Sequence, residues 1–149
     1  MKDPNFALRR AYFQRLNGAL NYNGENVPVY NRPPDEDKYP FVVLSSQTSI
    51  DESNKTSYQW ECTLLVDVVT GFDGNYGGFQ QADYIANQII GLIRTRQIEY
   101  LDLGEDFQMV TSTVDDMTTI DSQSNSHYIC RKLIRFRHII NQLTDKVHE

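Results

Sequence analysis

Between positions 58 and 69 the chain alternates with few lapses: Tyr58, Trp60, Cys62, Leu64, Val66 and Val68 point one way, and Gln59, Glu61, Thr63 and Asp67 point the other. A two-residue period of this length is the mark of a strand buried on one face. The run 127–140 repeats it, with Tyr128, Cys130, Ile134, Phe136 and Ile140 opposed to Arg131, Arg135 and Arg137. Two such strands commit the chain to a sheet with one apolar side. One polar face is acidic and the other basic, so Glu61 and Asp67 are expected to pair across strands with the arginines. Subunit contact is the second role open to these residues.

The rest of the chain supplies helices for the apolar side. Asp3 followed by Pro4 is a helix start, with Asp as N-cap and Pro where its missing N–H costs nothing. Phe6, Phe13, Leu16 and Leu20 then recur at helical spacing, and an ending is expected over 18–24, where Asn21, Asn23 and Gly24 suit left-handed conformations. A short extended piece at 27–30 and a proline-rich, charged connection at 31–38 follow. Tyr39-Pro40 opens the β-branched run Phe41-Val42-Val43-Leu44, which favours strand. Residues 45–57 are polar except for Ile50 and read as a mobile hairpin arm.

After the 58–69 strand, the glycine-rich segment 71–78 turns the chain into a second helix, striped by Phe79, Ala82, Ala86, Ile89 and Ile93 and widened by Ile85, Ile90 and Leu92. Arg94 and Arg96 are expected in its last turn, where positive charge favours the negative dipole end. A polar bend at 102–106 leads to a less regular strand at 107–120, and a turn at 121–126 joins it to the last strand. The order of elements predicts a single α+β domain over residues 1–149. Its antiparallel sheet is built from long hairpins, with two helices packed on one face.

Charge and composition narrow the function. A net charge of −6 disfavours tight binding that neutralises many phosphates, though it suits a wall past which DNA slides without sticking. No apolar run approaches the roughly 20 residues that a bilayer span needs. No apolar segment follows the basic start, so synthesis and assembly in a cytosol are expected. In that reducing compartment Cys62 and Cys130, both on apolar strand phases, are expected to be buried free thiols.

No catalytic, cofactor or metal constellation emerges. The 71–78 glycines lack the Gly-Lys-Ser/Thr of a phosphate loop and the spacing of a dinucleotide fold, so they read as a tight strand-to-helix connection. His127, His138 and His148 are scattered, and neither cysteine lies in a Cys-x-x-Cys pair. The carboxylates at 35–37, 51–52, 115–116 and 121 read as solvated loops, without the calcium-loop spacing. No Gly-x-Ser-x-Gly elbow presents a nucleophile. No aromatic residues are interleaved with the 131–137 arginines, which argues against a phosphate-reading surface.

The stretch Val29-Tyr30-Asn31-Arg32-Pro33-Pro34, followed by Tyr39-Pro40-Phe41-Val42-Val43-Leu44, resembles the opening of small tail-completion and tail-terminator (head–tail joining) proteins of tailed bacteriophages. The likeness continues through a polar arm at 48–56, a long strand at 62–69, a glycine-containing turn and a helix at 82–93. The acidic character of the arm and of Asp115, Asp116 and Asp121 departs from that pattern. The resemblance implies a non-enzymatic virion subunit, assembled in the host cytoplasm, that forms a homo-oligomeric ring at the head–tail junction or tail end. Such a ring joins or caps the tail and leaves a channel for DNA, which passes without sequence-specific binding. Its partners would be connector, portal or tail-tube proteins, with no membrane.

By position, the contact candidates are Ser49, Asp51, Glu52, Asn54 and Lys55 on the arm, Asp73 and Tyr76 in the turn, and the outward Glu61, Asp67, Arg131 and Arg135. A small cytosolic α+β binding or regulatory module that dimerises through a sheet edge is the alternative.

Overall fold

The computed structural model describes residues 1–36, 38–73, 78–95, 100–123 and 127–143, and every side chain among them but that of Asp73. Its elements in order are helix α1 (Asn5–Leu16), strands β1 (Asn21–Tyr22), β2 (Glu25–Asn26), β3 (Val29–Tyr30), β4 (Phe41–Asp51) and β5 (Gln59–Asp73), helix α2 (Gln80–Ile93), and strands β6 (Phe107–Gln123) and β7 (His127–Gln142). The main sheet has the order β3-β4-β5-β7-β6. It is antiparallel except at its short edge, where β3 runs parallel to β4 over two residues.

Both helices pack on one face of this sheet. The inward phases of β5 and β7 (Cys62, Leu64, Val66, Val68, Cys130, Ile134, Phe136, Ile140) form one core with Leu8, Tyr12 and Leu16 of α1 and Ile85, Ile89 and Ile93 of α2. The α+β class, the long hairpins and the single helical face are therefore as the alternation predicts. Both cysteines are buried and free. Cys62 stands opposite His138 on β7, eight residues from Cys130, or roughly 26 Å along a strand, so no disulfide can join them.

Several local expectations are corrected. On α1 the buried face is Ala7, Leu8, Ala11, Tyr12 and Leu16, whereas Phe6 is 74% exposed. Of the predicted stripe, Leu16 and Leu20 are buried and Phe13 packs against the core, so Phe6 alone lies out of phase. The N-cap is Pro4 and not Asp3, with Asn5 the first helical residue, while the Asp3 carboxylate accepts the Asn5 N–H at 2.9 Å from one position further out. Asn23 and Gly24, both at positive φ, form the two-residue turn of the β1–β2 hairpin and not the helix ending. Phe79 precedes α2 and is exposed, as is Tyr58 before β5. Arg94 follows the last residue of α2, and Arg96 lies outside the described residues.

The segment read as an arm is laddered through Asp51, which pairs with Trp60. A bulge between Leu44 and Gln47 shifts its phase, so Gln47 and Ser49 take the helical side while Ile50 points outward, 51% exposed. β6 carries two such irregularities, at Met109/Thr111 and Val114/Asp116. Each resets which side chains face inward, which is why its alternation is blurred in the sequence.

Candidate functional site

The turn between β4 and β5 gathers Asp51, Glu52, Asn54 and Lys55 at one exposed tip. Asn54 organises it: its side-chain oxygen accepts the backbone N–H groups of Thr56 at 2.8 Å and Ser57 at 3.0 Å, and its own N–H donates to the Ser57 carbonyl at 3.1 Å. Asn and Ser side chains bond the nearby backbone in this way in place of a ladder. Asp51 accepts the Ser53 N–H at 2.9 Å, and its bonds to Ser53 lower its carboxyl pKa. Ser49 does not join the tip. It donates to Asn5 Oδ1 at 2.5 Å and so ties β4 to the start of α1.

Glu61, Asp67, Arg131 and Arg135 lie on the sheet face away from the helices. Arg131 clasps Asp67 through two nitrogens, at 2.5 and 3.3 Å, and Arg137 meets Glu61 at 2.6 Å. Both pairs are diagonal: Asp67 opposes Leu133 and Glu61 opposes Ile139, in each case two residues beyond the arginine on β7. The same diagonal from Arg135 ends on Thr63, so this arginine lacks an acid there. The cross-strand pairing expected of these charges is thus formed by Arg131 and Arg137. Asp73 pairs through its backbone with His127, and Tyr76 lies outside the described residues. Beside the Asp67 pair, Phe41, Val43 and Val69 form a second apolar cluster under Tyr30, Tyr39 and Ile129.

A buried polar line was not legible from spacing. Tyr12 Oη contacts His138 Nε2, and Ser112 Oγ lies 2.9 Å from His138 Nδ1. Burial pushes the imidazole down to about 4 and the Tyr12 hydroxyl well up, so at neutral pH the ring is neutral and the phenol protonated. A ring that accepts from Tyr12 at Nε2 carries its proton on Nδ1, toward Ser112. All three residues are at most 1% exposed, so no substrate reaches them, and the line acts as a fastener between α1, β6 and β7. Its sequence signal was weak: one histidine on an apolar strand phase. Burial likewise lifts the Cys62 thiol to about 11, which removes it as a nucleophile. Among the described residues no group of three or more His, Cys, Asp or Glu side chains is placed to hold a metal ion. No helix among them is long and apolar enough to cross a membrane.

No family model and no curated protein matches the chain. Among solved structures, it is similar to a chain of one described as "Virion of native gene transfer agent (GTA) particle", with a TM-score of 0.71 and 17% identity. The match covers 95% of this chain and 99% of that one. At that identity the likeness establishes a shared fold, and it does so from end to end.

Proposed function

We propose that the protein is a structural subunit of a phage-like virion that acts by assembly and not by catalysis. It forms a homo-oligomeric ring at the head–tail junction or tail end, joins or caps the tail, and leaves a channel through which DNA passes without sequence-specific contact. The observation that carries this reading is the near-complete, two-way structural match to a virion chain. The phage-like tail-protein pattern at 29–44 agrees with it. The partners are further copies of the chain and neighbouring connector, portal or tail-tube proteins, and the site of assembly is the host cytoplasm. A net charge of −6 suits a channel wall that does not retain DNA.

The candidate contacts divide between the tip (Asp51, Glu52, Asn54, Lys55) and Arg135 on the outer face, whereas Asp67 and Glu61 are already paired within the subunit. The open edge of β6 favours one second reading, a cytosolic module that dimerises edge to edge. Negative-stain imaging of the purified protein, alone and mixed with portal or tail components, separates the two. Annular particles are expected, and a discrete dimer at every concentration contradicts the ring.

A further inference from the structure

Both helices pack on one face of the sheet, and the other face is open apart from the corner where Tyr30 and Tyr39 pack on Phe41, Val43 and Val69. The middle of that open face is a ladder of arginines. Arg131, Arg135 and Arg137 share the outward phase of β7, and the side chains of Arg131 and Arg137 remain 45% and 44% exposed. Each has a carboxylate at hand. Asp67 holds Arg131 and Glu61 holds Arg137, both from β5, while Asp116 stands directly opposite Arg135 on β6. Residues directly opposite in an antiparallel ladder share one face, with their Cβ atoms about 5 Å apart.

At the outward positions of β5 from Glu61 to Val69, and at those paired with them on β7 and β6, carboxylates and arginines are therefore equal in number. The net charge of −6 lies elsewhere on the chain. This composition separates two kinds of occupant. A second sheet packed face to face needs apolar side chains that interdigitate. Here it would bury ion pairs, whose loss of water their mutual attraction seldom repays. A hydrated polyanion meets a face that neither repels nor grips it, because an arginine already held by an acid has little left to offer a phosphate.

We infer that the helix-free face of the sheet is the channel wall turned toward the DNA, and that Glu61, Asp67 and Asp116 keep its three arginines off the phosphates. This assignment rests on the ring reading and names the surface of the subunit that faces inward. Arg135 is then a wall residue, and the tip at 51–55 is left to subunit contact.

The first test combines Glu61→Gln, Asp67→Asn and Asp116→Asn in the full-length chain. Its control removes three exposed carboxylates elsewhere, with Glu25→Gln, Asp102→Asn and Glu105→Gln. Binding of a mixed-sequence DNA duplex is followed by fluorescence anisotropy over a range of salt. The unmasked variant should bind at least about ten-fold more tightly than parent or control, with a log–log salt slope of about three, roughly 0.9 per freed arginine. Should the triple variant fail to fold, Asp116→Asn alone, at an exposed position, should show a gain with a slope of about one. Binding no tighter than that of the control overturns the masking.

The second test uses Thr118→Cys, at an exposed position opposite Leu133 on the same face, in a chain whose own Cys62 and Cys130 are buried. A dye maleimide should label it before and after ring assembly, whereas a maleimide carried on a globular protein wider than a duplex should label the free subunit alone. Loss of dye labelling on assembly puts the face in a subunit contact, and labelling of rings by both reagents puts it on the outer rim. Either result overturns the wall and leaves the ring standing. Absence of annular particles, alone or with tail components, overturns both.

Discussion

Asp67 and Arg131 make one ion pair with unequal ends, since the Asp67 side chain is 9% exposed and that of Arg131 45%. Removing the arginine strands a nearly buried carboxylate, whereas removing the carboxylate leaves a cation that water can reach. Arg131→Met is therefore expected to cost about 1–3 kcal/mol in chemical denaturation, and more than Asp67→Asn. Equal losses would show that Asp67 is better hydrated than its burial implies.

His138 gives the fold a pH dependence of definite sign. Its folded pKa of about 4 lies below the ordinary value of 6.5, so the unfolded chain binds the proton more readily. Its neutral burial costs nothing above pH 6.5, and stability falls as pH drops from 6.5 to about 4. The span corresponds to about 3.5 kcal/mol at about 1.4 kcal/mol per pH unit. Unfolding free energies measured across that window should fall less steeply in His138→Asn than in the parent. An unchanged slope would remove the histidine from the account of acid sensitivity.

At the scale of elements, close approaches hold the ends of the sheet. Gly71 on β5 lies under the Tyr39 ring, and a Cβ there would come 2.4 Å from Tyr39 Cδ2. Tyr39 is itself stacked on Phe41, so it has little room to yield. Gly71→Ala should cost about 1–3 kcal/mol by overpacking, read as a lower denaturation midpoint with an unchanged slope.

Arg9 guards the exposed edge of β4 from α1, donating to the Leu44 carbonyl at 2.6 Å and also to that of Ser45. Arg9→Met leaves both carbonyls without these donors and should cost about 1–2 kcal/mol in the same measurement. β5 and β7 were legible in the sequence because both are central strands with one buried face, where period two is enforced residue by residue. On α1 the spacing of Phe13, Leu16 and Leu20 marks the core side, whereas Ala7 and Ala11 carry little hydrophobic signal beside the exposed Phe6. β6 was blurred by its bulges, and the parallel β3–β4 pair of two residues was too short to leave a pattern. The charge pairing was legible from two faces of opposite sign, but not its diagonal geometry, which depends on register. The Tyr12–His138–Ser112 line joins residues up to 126 positions apart and has no local signature.

At the scale of the whole molecule, the sheet is longer than the helices that cover it. α2 lies over β5 and β7, while the second half of β6 stands beyond it with both faces exposed. An open strand of that length is a liability in a solitary protein, and bulges and acids blunt it only in part. Such a strand is available for pairing with, or cover by, another chain. Sedimentation velocity of the purified protein over a wide concentration range, repeated with tail components present, tests assembly most directly. A closed multiple larger than two, reached without intermediate open chains, is the predicted result. A species that stays monomeric or stops at a dimer under every condition would contradict it.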